Sequence, residues 1–256
     1  METGMHALPM LALRNVTVRY ESTPALADLS FSLHEGDWLM IAGPNGAGKT
    51  TLLNAIAGAV KYTGKVLFKD SDVRGFSSTE LAQHIGFLAQ ESLLQYPFTV
   101  GEVVRLGRYA YRHASAQAEE SILSDALELT GLSELRDRSV LTLSGGEQQR
   151  VFLAQLFAQD PQIMILDEPT SHLDLKYQKQ IFTLVDEWRK TPGRAVISVV
   201  HDLSFVKAFG THALLLKEGR AVASGPKKDV LTAETLQAAY DMDVAAWMKE
   251  LLDVWS

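Results

Sequence analysis

The sequence predicts an α/β fold with a mainly parallel central sheet, an antiparallel β portion near its start and an inserted α-helical subdomain. Three observations carry that expectation. Residues 11–20 alternate apolar and polar side chains, as a strand buried on one face does. Residues 38–42 and 163–166 are short, continuously apolar runs and residues 195–199 are apolar but for Ser198, the pattern of strands covered on both faces. Segments with helical spacing separate the later runs, and parallel strands need such crossovers because a tight turn can only reverse the chain.

The 256 residues suit one large domain carrying an insertion. Hydrophobic residues make up 46%, enough for a sizeable core, and the 21% charged content argues against disorder. A formal net charge of −7 leaves no basic footprint, so no nucleic-acid partner is expected. With no cysteine, disulfides and thiolate metal sites are excluded, which suits a reducing compartment. Residues 7–13 are apolar but broken by Pro9 and lack a basic lead-in, so they read as mature sequence. No apolar run reaches the roughly eighteen residues of a spanning helix, and any role in transport needs a separate membrane subunit.

Taken in order, the first strand slips once in its alternation, between Leu13 and Val16. A second strand is expected over residues 26–33, followed by a turn at Glu35-Gly36-Asp37. The apolar strand 38–42 then runs into a glycine-rich segment, with a helix over 51–57 and Gly58 as its stop. Residues 65–68 and 85–88 read as strands around a helix opened by the capping-box pair Ser77 and Glu80. From about 91 to 142 the pattern turns helical, with Thr99 and Glu102 forming another capping box. The expected organisation is a single domain over 1–256, with a core of 1–90 and 143–256 and a helical subdomain between them. Beyond it come helix 145–159, strand 163–166, helix 175–190 and strand 195–199. A short helix, two strands around Glu218-Gly219 and C-terminal helices complete the chain.

Gly43 to Thr50 reads G-x-x-x-x-G-K-[ST] between a strand and a helix, the context in which such a loop binds phosphate. Gly43, Asn45, Gly46 and Gly48 lie in this loop, where glycines let backbone N–H groups turn onto phosphate oxygens. The helix N-terminus adds partial positive charge. Lys49 is placed to reach the β- and γ-phosphates and Thr50 to ligate Mg²⁺. Asp167 and Glu168 end an apolar strand, where α/β sheets bind ligands. They either hold Mg²⁺ and polarise an attacking water, or cap the following helix through its dipole.

Leu143-Ser144-Gly145-Gly146-Glu147-Gln148-Gln149-Arg150 opens a helix with Ser144 as N-cap and Glu147 completing a capping box. Capping gives no reason for two adjacent glycines, which weaken a helix. They leave its mouth open, and such a mouth can bind phosphate.

Together the strings GPNGAGKT, LSGGEQQR and ILDEPT resemble the ABC ATPase family over nearly the whole chain, which implies a P-loop NTPase fold, ATP and Mg²⁺. The resemblance implies that Ser144, Gly145 and Gly146 contact the γ-phosphate held by a partner subunit, so that a head-to-tail homodimer closes on two ATP molecules. It makes Thr51 a further nucleotide contact and Asp167 a metal residue. Gln90 resembles the glutamine that meets both Mg²⁺ and the catalytic water, and Glu168 the residue that orients that water. His201 resembles the histidine that contacts the γ-phosphate, although a lone histidine at a strand end is otherwise structural. Tyr20 resembles the aromatic that stacks on adenine, or is simply an edge-strand tyrosine. Ser171-His172-Leu173-Asp174 resembles a loop that crosses the dimer interface, and Asp202 can serve as an N-cap.

Residues 99–112 and 236–244 are similar to ATPases of iron-siderophore, haem or cobalamin importers. That likeness implies transmembrane permease subunits, an extracytoplasmic substrate-binding protein, and a peripheral place on the cytoplasmic face of the inner or plasma membrane. A soluble ABC ATPase of iron–sulfur cluster assembly and an exporter ATPase are the alternatives. Residues 93–98 are unusually apolar for a connection and read either as a docking patch for a membrane subunit or as lobe core, with Tyr96 and Phe98 packed inside.

Overall fold

The computed structural model describes residues 8–254 apart from 22, 91–95, 112–114 and 172. The chain forms two compact units, residues 1–75 with 197–256 and residues 76–196.

The first unit begins with β1 (Leu11–Tyr20), β2 (Thr23–Leu33), β3 (Trp38–Ala42), α1 (Lys49–Ile56), β4 (Thr63–Phe68) and β5 (Ser71–Asp72). Four of these strands form an antiparallel sheet ordered β2-β1-β4-β5. The slip in the first strand is a bulge: the register shifts between Leu13 and Val16, and Asn15 takes a left-handed φ of 52°. Asn15 tolerates that conformation, and its amide donates to Asp28 Oδ1 at 2.7 Å across the pair. The extra residue returns both Leu13 and Val16 to the buried face. Strand β3 is buried at every position, as its unbroken apolar run predicts.

In the second unit, α2 (Ser78–Ala82) precedes β6 (Ile85–Leu88), and α3 (Val100–Arg105), α4 (Ala116–Leu129) and α5 (Gly145–Gln159) follow. Then come β7 (Ile163–Asp167) and α6 (Leu175–Arg189). The predicted capping boxes at Ser77/Glu80, Thr99/Glu102 and Ser144/Glu147 are all formed, each satisfying backbone donors at a helix start. Helices α3 and α4 pack against α5, and Val103, Val104, Leu123 and Leu127 on them are buried. Arg108 ties this cluster together, binding Glu119 at 3.1 Å and donating to the Ala158 carbonyl at 3.0 Å. Strands β6 and β7 pair in parallel, with Ile85 opposite Ile163.

The boundary falls inside β8 (Ala195–Val199), which is buried throughout. The first unit then resumes with α7 (Leu203–Phe209), β9 (His212–Lys217), β10 (Arg220–Pro226), α8 (Lys227–Val230), α9 (Ala233–Tyr240) and α10 (Val244–Asp253). Strand β3 runs parallel to β9, and β9 and β10 form the expected hairpin around Glu218-Gly219. Trp38 is fully buried, yet its indole N–H reaches Ser198 Oγ at 2.8 Å and its backbone N–H reaches Thr211 Oγ1 at 2.8 Å. The largest core side chain of the first unit therefore carries no polar penalty.

Element ends differ from expectation by one to three residues. Helix α1 starts at Lys49 instead of residue 51, because Gly48 in the left-handed conformation starts it before any apolar side chain signals it. Strand β2 starts at Thr23 and β7 includes Asp167, both beyond their apolar runs. Among the described residues no helix is long and apolar enough to cross a membrane.

Candidate functional site

Strand β3 ends at Ala42, and the next eight residues form a loop wedged against the rest of the first unit. A Cβ on Gly43 would fall 2.1 Å from the Leu216 carbonyl oxygen of β9, and one on Gly48 would fall 2.5 Å from that of Ala25. Both glycines also have positive φ, 148° and 96°, so no other residue fits either place without displacing backbone. Ala47 O accepts from Gly219 N at 3.1 Å, which ties the loop to the β9–β10 turn. Tyr240 of α9 stands over Gly43: burial pushes its phenol up, and a hydrogen bond from the Gly43 backbone partly offsets that.

The first turn of α1 has no side-chain cap and no acidic residue. It differs in this from α2, α3 and α5, where a glutamate takes the helix donors. That makes the α1 mouth an anion site with backbone N–H donors and dipole aligned. Lys49 is buried and folds back over the loop, donating to Gly43 O at 2.8 Å and Pro44 O at 3.0 Å. Asn45, Gly46 and Thr50 are exposed, and Thr51 is half-buried beside them. Tyr20, at the end of β1, is 51% exposed and so offers a ring face. His201 follows β8 in an exposed position, and Asp202 caps α7 by accepting from Ser204 N at 2.8 Å.

The second unit assembles the other half of the expected residues. Asp167 is buried at the end of β7. Glu168 next to it has a φ of 49°, a left-handed conformation that costs a non-glycine residue of order 1 kcal/mol and here turns the side chain out of the strand line. Its Oε2 accepts from the Gln90 amide at 2.8 Å and from Ser171 Oγ at 3.0 Å. Two donors on one oxygen orient the carboxylate before any ligand arrives.

At the start of α5, Ser144 donates through both its backbone N–H (2.8 Å) and its hydroxyl (2.7 Å) to Glu147 Oε2. Those bonds hold the Glu147 carboxyl below the usual carboxylate range. A Cβ on Gly145 would meet nothing within 4 Å, whereas one on Gly146 would press on the Tyr177 ring at 3.2 Å. One glycine thus keeps the helix mouth open and the other admits a tyrosine behind it. Gln149 of the same helix donates to Pro169 O at 3.0 Å, joining α5 to the segment that carries Glu168.

The first unit supplies an anion cradle and an ammonium, and the second a buried acid and an oriented carboxylate, the kinds of group that nucleoside triphosphate hydrolysis uses. The profile of the family described as ABC transporter matches residues 26–171.

The chain belongs to the ABC transporter family.

Members of this family bind ATP, dimerise, work with membrane permease subunits and hydrolyse the nucleotide to drive transport. The ABC chain is 38% identical to the hemin import ATP-binding protein HmuV of Jannaschia sp. over 90% of its length and 87% of that protein. It is 34% identical to the ferric enterobactin transport ATP-binding protein FepC of Escherichia coli, over 89% of its length and 85% of FepC. It is also 37% identical to the ABC transporter ATP-binding protein YvrA of Bacillus subtilis over 89% of its length, but spans only 52% of YvrA. Among solved structures it superposes on a dimeric post-hydrolysis state of the ATP-binding cassette MJ0796 bound to ADP and phosphate. The TM-score is 0.76 at 31% identity, covering 85% of this chain and 99% of that one.

Sequence reasoning did not single out four contacts of the candidate residues: in the second unit, Ser171 as a donor to Glu168 and Tyr177 behind Gly146; in the first, the Leu216 carbonyl beside Gly43, and Tyr240. Ser171 stood in a quoted motif with an interface role only, and the other three lie 31 or more residues from their partners. His172 lies outside the described residues.

Proposed function

We propose that this chain is the ATP-hydrolysing subunit of a metal-chelate importer, with the chemistry assigned as follows. The observation that carries the reading is the Glu168 carboxylate, already gripped by Gln90 and Ser171 at the end of a buried strand. A carboxylate so held can accept a proton from a water and aim it at a phosphorus atom. Lys49 exchanges its loop carbonyls for β- and γ-phosphate oxygens, since a charge-assisted bond to phosphate is the stronger one. Gly43, Asn45, Gly46, Gly48 and Thr51 hold the phosphates through the loop, Tyr20 stacks on the adenine, and His201 contacts the γ-phosphate.

The Thr50 hydroxyl, Asp167 carboxylate and Gln90 amide supply oxygen donors only, the set a hard Mg²⁺ ion prefers. When bound, Mg²⁺ neutralises charge on the phosphate oxygens. In the homodimer, Ser144, Gly145 and Gly146 of the second copy close over the γ-phosphate, which suits the open space at Gly145. ATP then binds the closed pair better than the open one and shifts the population towards closure, and hydrolysis removes that bias.

The names of HmuV, a hemin import protein, and FepC, a ferric enterobactin transport protein, support import of an iron chelate. The resemblance to such importers implies two permease subunits, an extracytoplasmic binding protein and a peripheral place on the cytoplasmic face of the inner or plasma membrane. Residues 93–95 of the apolar connection lie outside the described residues, but Tyr96 and Phe98 are 68% and 42% exposed, alongside exposed Leu106 and Tyr109. That patch supports docking of a permease helix rather than burial in the helical subdomain of residues 91–142. The deciding experiment is Glu168→Gln: ATP binding is retained, turnover falls by about two to three orders of magnitude, and a dimer accumulates with ATP. Near-normal hydrolysis in that variant would remove Glu168 from the role.

A further inference from the structure

The C-terminal helix α10 is set firmly in place yet leaves most of its apolar surface uncovered. Asp243 caps it, accepting from Ala246 N at 2.9 Å. The turn before it is pinned by Lys217, which donates to the Ala238 carbonyl at 3.0 Å and to Asp241 Oδ1 at 2.6 Å. Of its ten residues only Val244 is buried. Trp247 is 49% exposed, Leu251 41% and Leu252 69%, with Val254 just beyond also in water. Scattered apolar residues on a surface need no account, but a contiguous stripe on one ordered helix does.

The stripe has two parts. Spacing of four and three puts Trp247, Leu251 and Val254 on one face as a ridge. On the adjacent face, Val244, Met248 and Leu252 form one wall of an apolar groove of about 660 Å³, with Leu203 of α7 and Leu236 of α9 among the residues of the other walls. Charge follows the same division. Lys207 and Lys249 line the groove, whereas Glu250 adjoins the ridge.

We propose that α10 is a self-association surface, in which the Trp247–Leu251 ridge of one copy seats in the α7–α9–α10 groove of a second copy and the reverse. A two-fold contact requires one patch to carry both a feature and its complement, and here ridge and groove share one helix. The charges agree, because the exchange brings Glu250 of each copy towards the Lys207 and Lys249 that line the other's groove. An anionic lipid surface fits less well, since α10 itself carries Lys249 against Glu250 and Asp253. The contact uses no nucleotide-binding residue. It therefore holds two copies near each other when the ATP sites are open, so that closure becomes an intramolecular step with a high effective concentration.

The test is sedimentation velocity on the full chain without nucleotide, at concentrations up to ~50 µM, since self-association scales with protomer concentration. The expected result is a reversible monomer–dimer equilibrium in the wild type. Trp247→Glu weakens it at least ~10-fold, the loss expected from charging a central aromatic anchor. Lys207→Glu also weakens it, and Lys207→Glu combined with Glu250→Lys restores it. That rescue is something a purely structural role for these residues would not give. A wild type that stays monomeric, a Trp247→Glu variant that associates normally, or cosedimentation with anionic vesicles in place of self-association overturns the proposal. Failure here is separable from failure of the ATPase reading, because the ATP-trapped dimer of Glu168→Gln must still form when Trp247→Glu is added.

Discussion

The Gln90 side-chain amide donates a 2.8 Å hydrogen bond to Glu168 Oε2, across 78 residues of sequence. The bond makes Gln90 a positioning residue for the carboxylate as well as a metal ligand candidate. Gln90→Ala removes the donor while leaving Ser171 in place, so kcat should fall about 10- to 100-fold with ATP affinity changed by less than about threefold. Steady-state hydrolysis and equilibrium binding of ATP separate the two quantities. A large loss of affinity with kcat unchanged would assign Gln90 to binding instead.

Gly43→Ala should be more damaging than its single methyl suggests. The new Cβ would sit 2.1 Å from the Leu216 carbonyl oxygen, so the loop or β9 must move. We expect a stability loss of about 1–3 kcal/mol and ATP affinity reduced at least ~10-fold, the usual range for overpacking against backbone. Gly46→Ala meets nothing within 4 Å but has φ +78°, so it should show strain without the clash and a milder loss. Urea unfolding and nucleotide titration of the two variants measure the difference.

Acid should loosen the start of α5. Glu147 has its pKa lowered in the fold by the Ser144 hydroxyl and backbone N–H. A group with a depressed folded value contributes stability above its unfolded pKa of about 4.3 and loses it as pH falls through the folded value, which lies lower. The stability difference between wild type and Glu147→Gln should therefore be constant above about pH 5 and shrink below pH 4. Thermal melts across that range read it directly. A difference that grows towards acid would contradict the sign.

Trp38→Phe leaves the buried Ser198 hydroxyl without its indole donor. The cost should be about 2–4 kcal/mol, from an unsatisfied buried group plus lost ring volume. Urea melts should show a lower midpoint with an unchanged slope, because the loss lies in the native state.

Phe98→Asp should abolish co-purification with the permease subunits in detergent while leaving the isolated chain's melting temperature within a few degrees. The residue is 42% exposed, so a charge there is solvated in the free chain and desolvated only in the docked complex. Retained association would place docking elsewhere.

Local pattern determined much of this protein. The phosphate loop between a buried strand and a helix, the three capping boxes, the buried runs of β3, β7 and β8 and the β9–β10 hairpin all follow from residues close in sequence. Such features depend on spacing and backbone preference, which a linear chain displays. Even the slip in β1 was visible, although its meaning as an Asn15 bulge needed the β2 register.

Only the tertiary structure decided which distant groups meet: Gln90 and Ser171 on one oxygen of Glu168, Leu216 and Tyr240 against Gly43, Tyr177 behind Gly146, and the bare ridge beside a groove on α10. Contacts across many residues are chosen by strand order and helix packing, where apolar burial sets the positions and polar groups are then matched at ångström precision. Pattern in the chain records that a side chain is apolar or charged. Which neighbour it finds is settled by the collective packing of the whole fold, and no local stretch of residues contains that information.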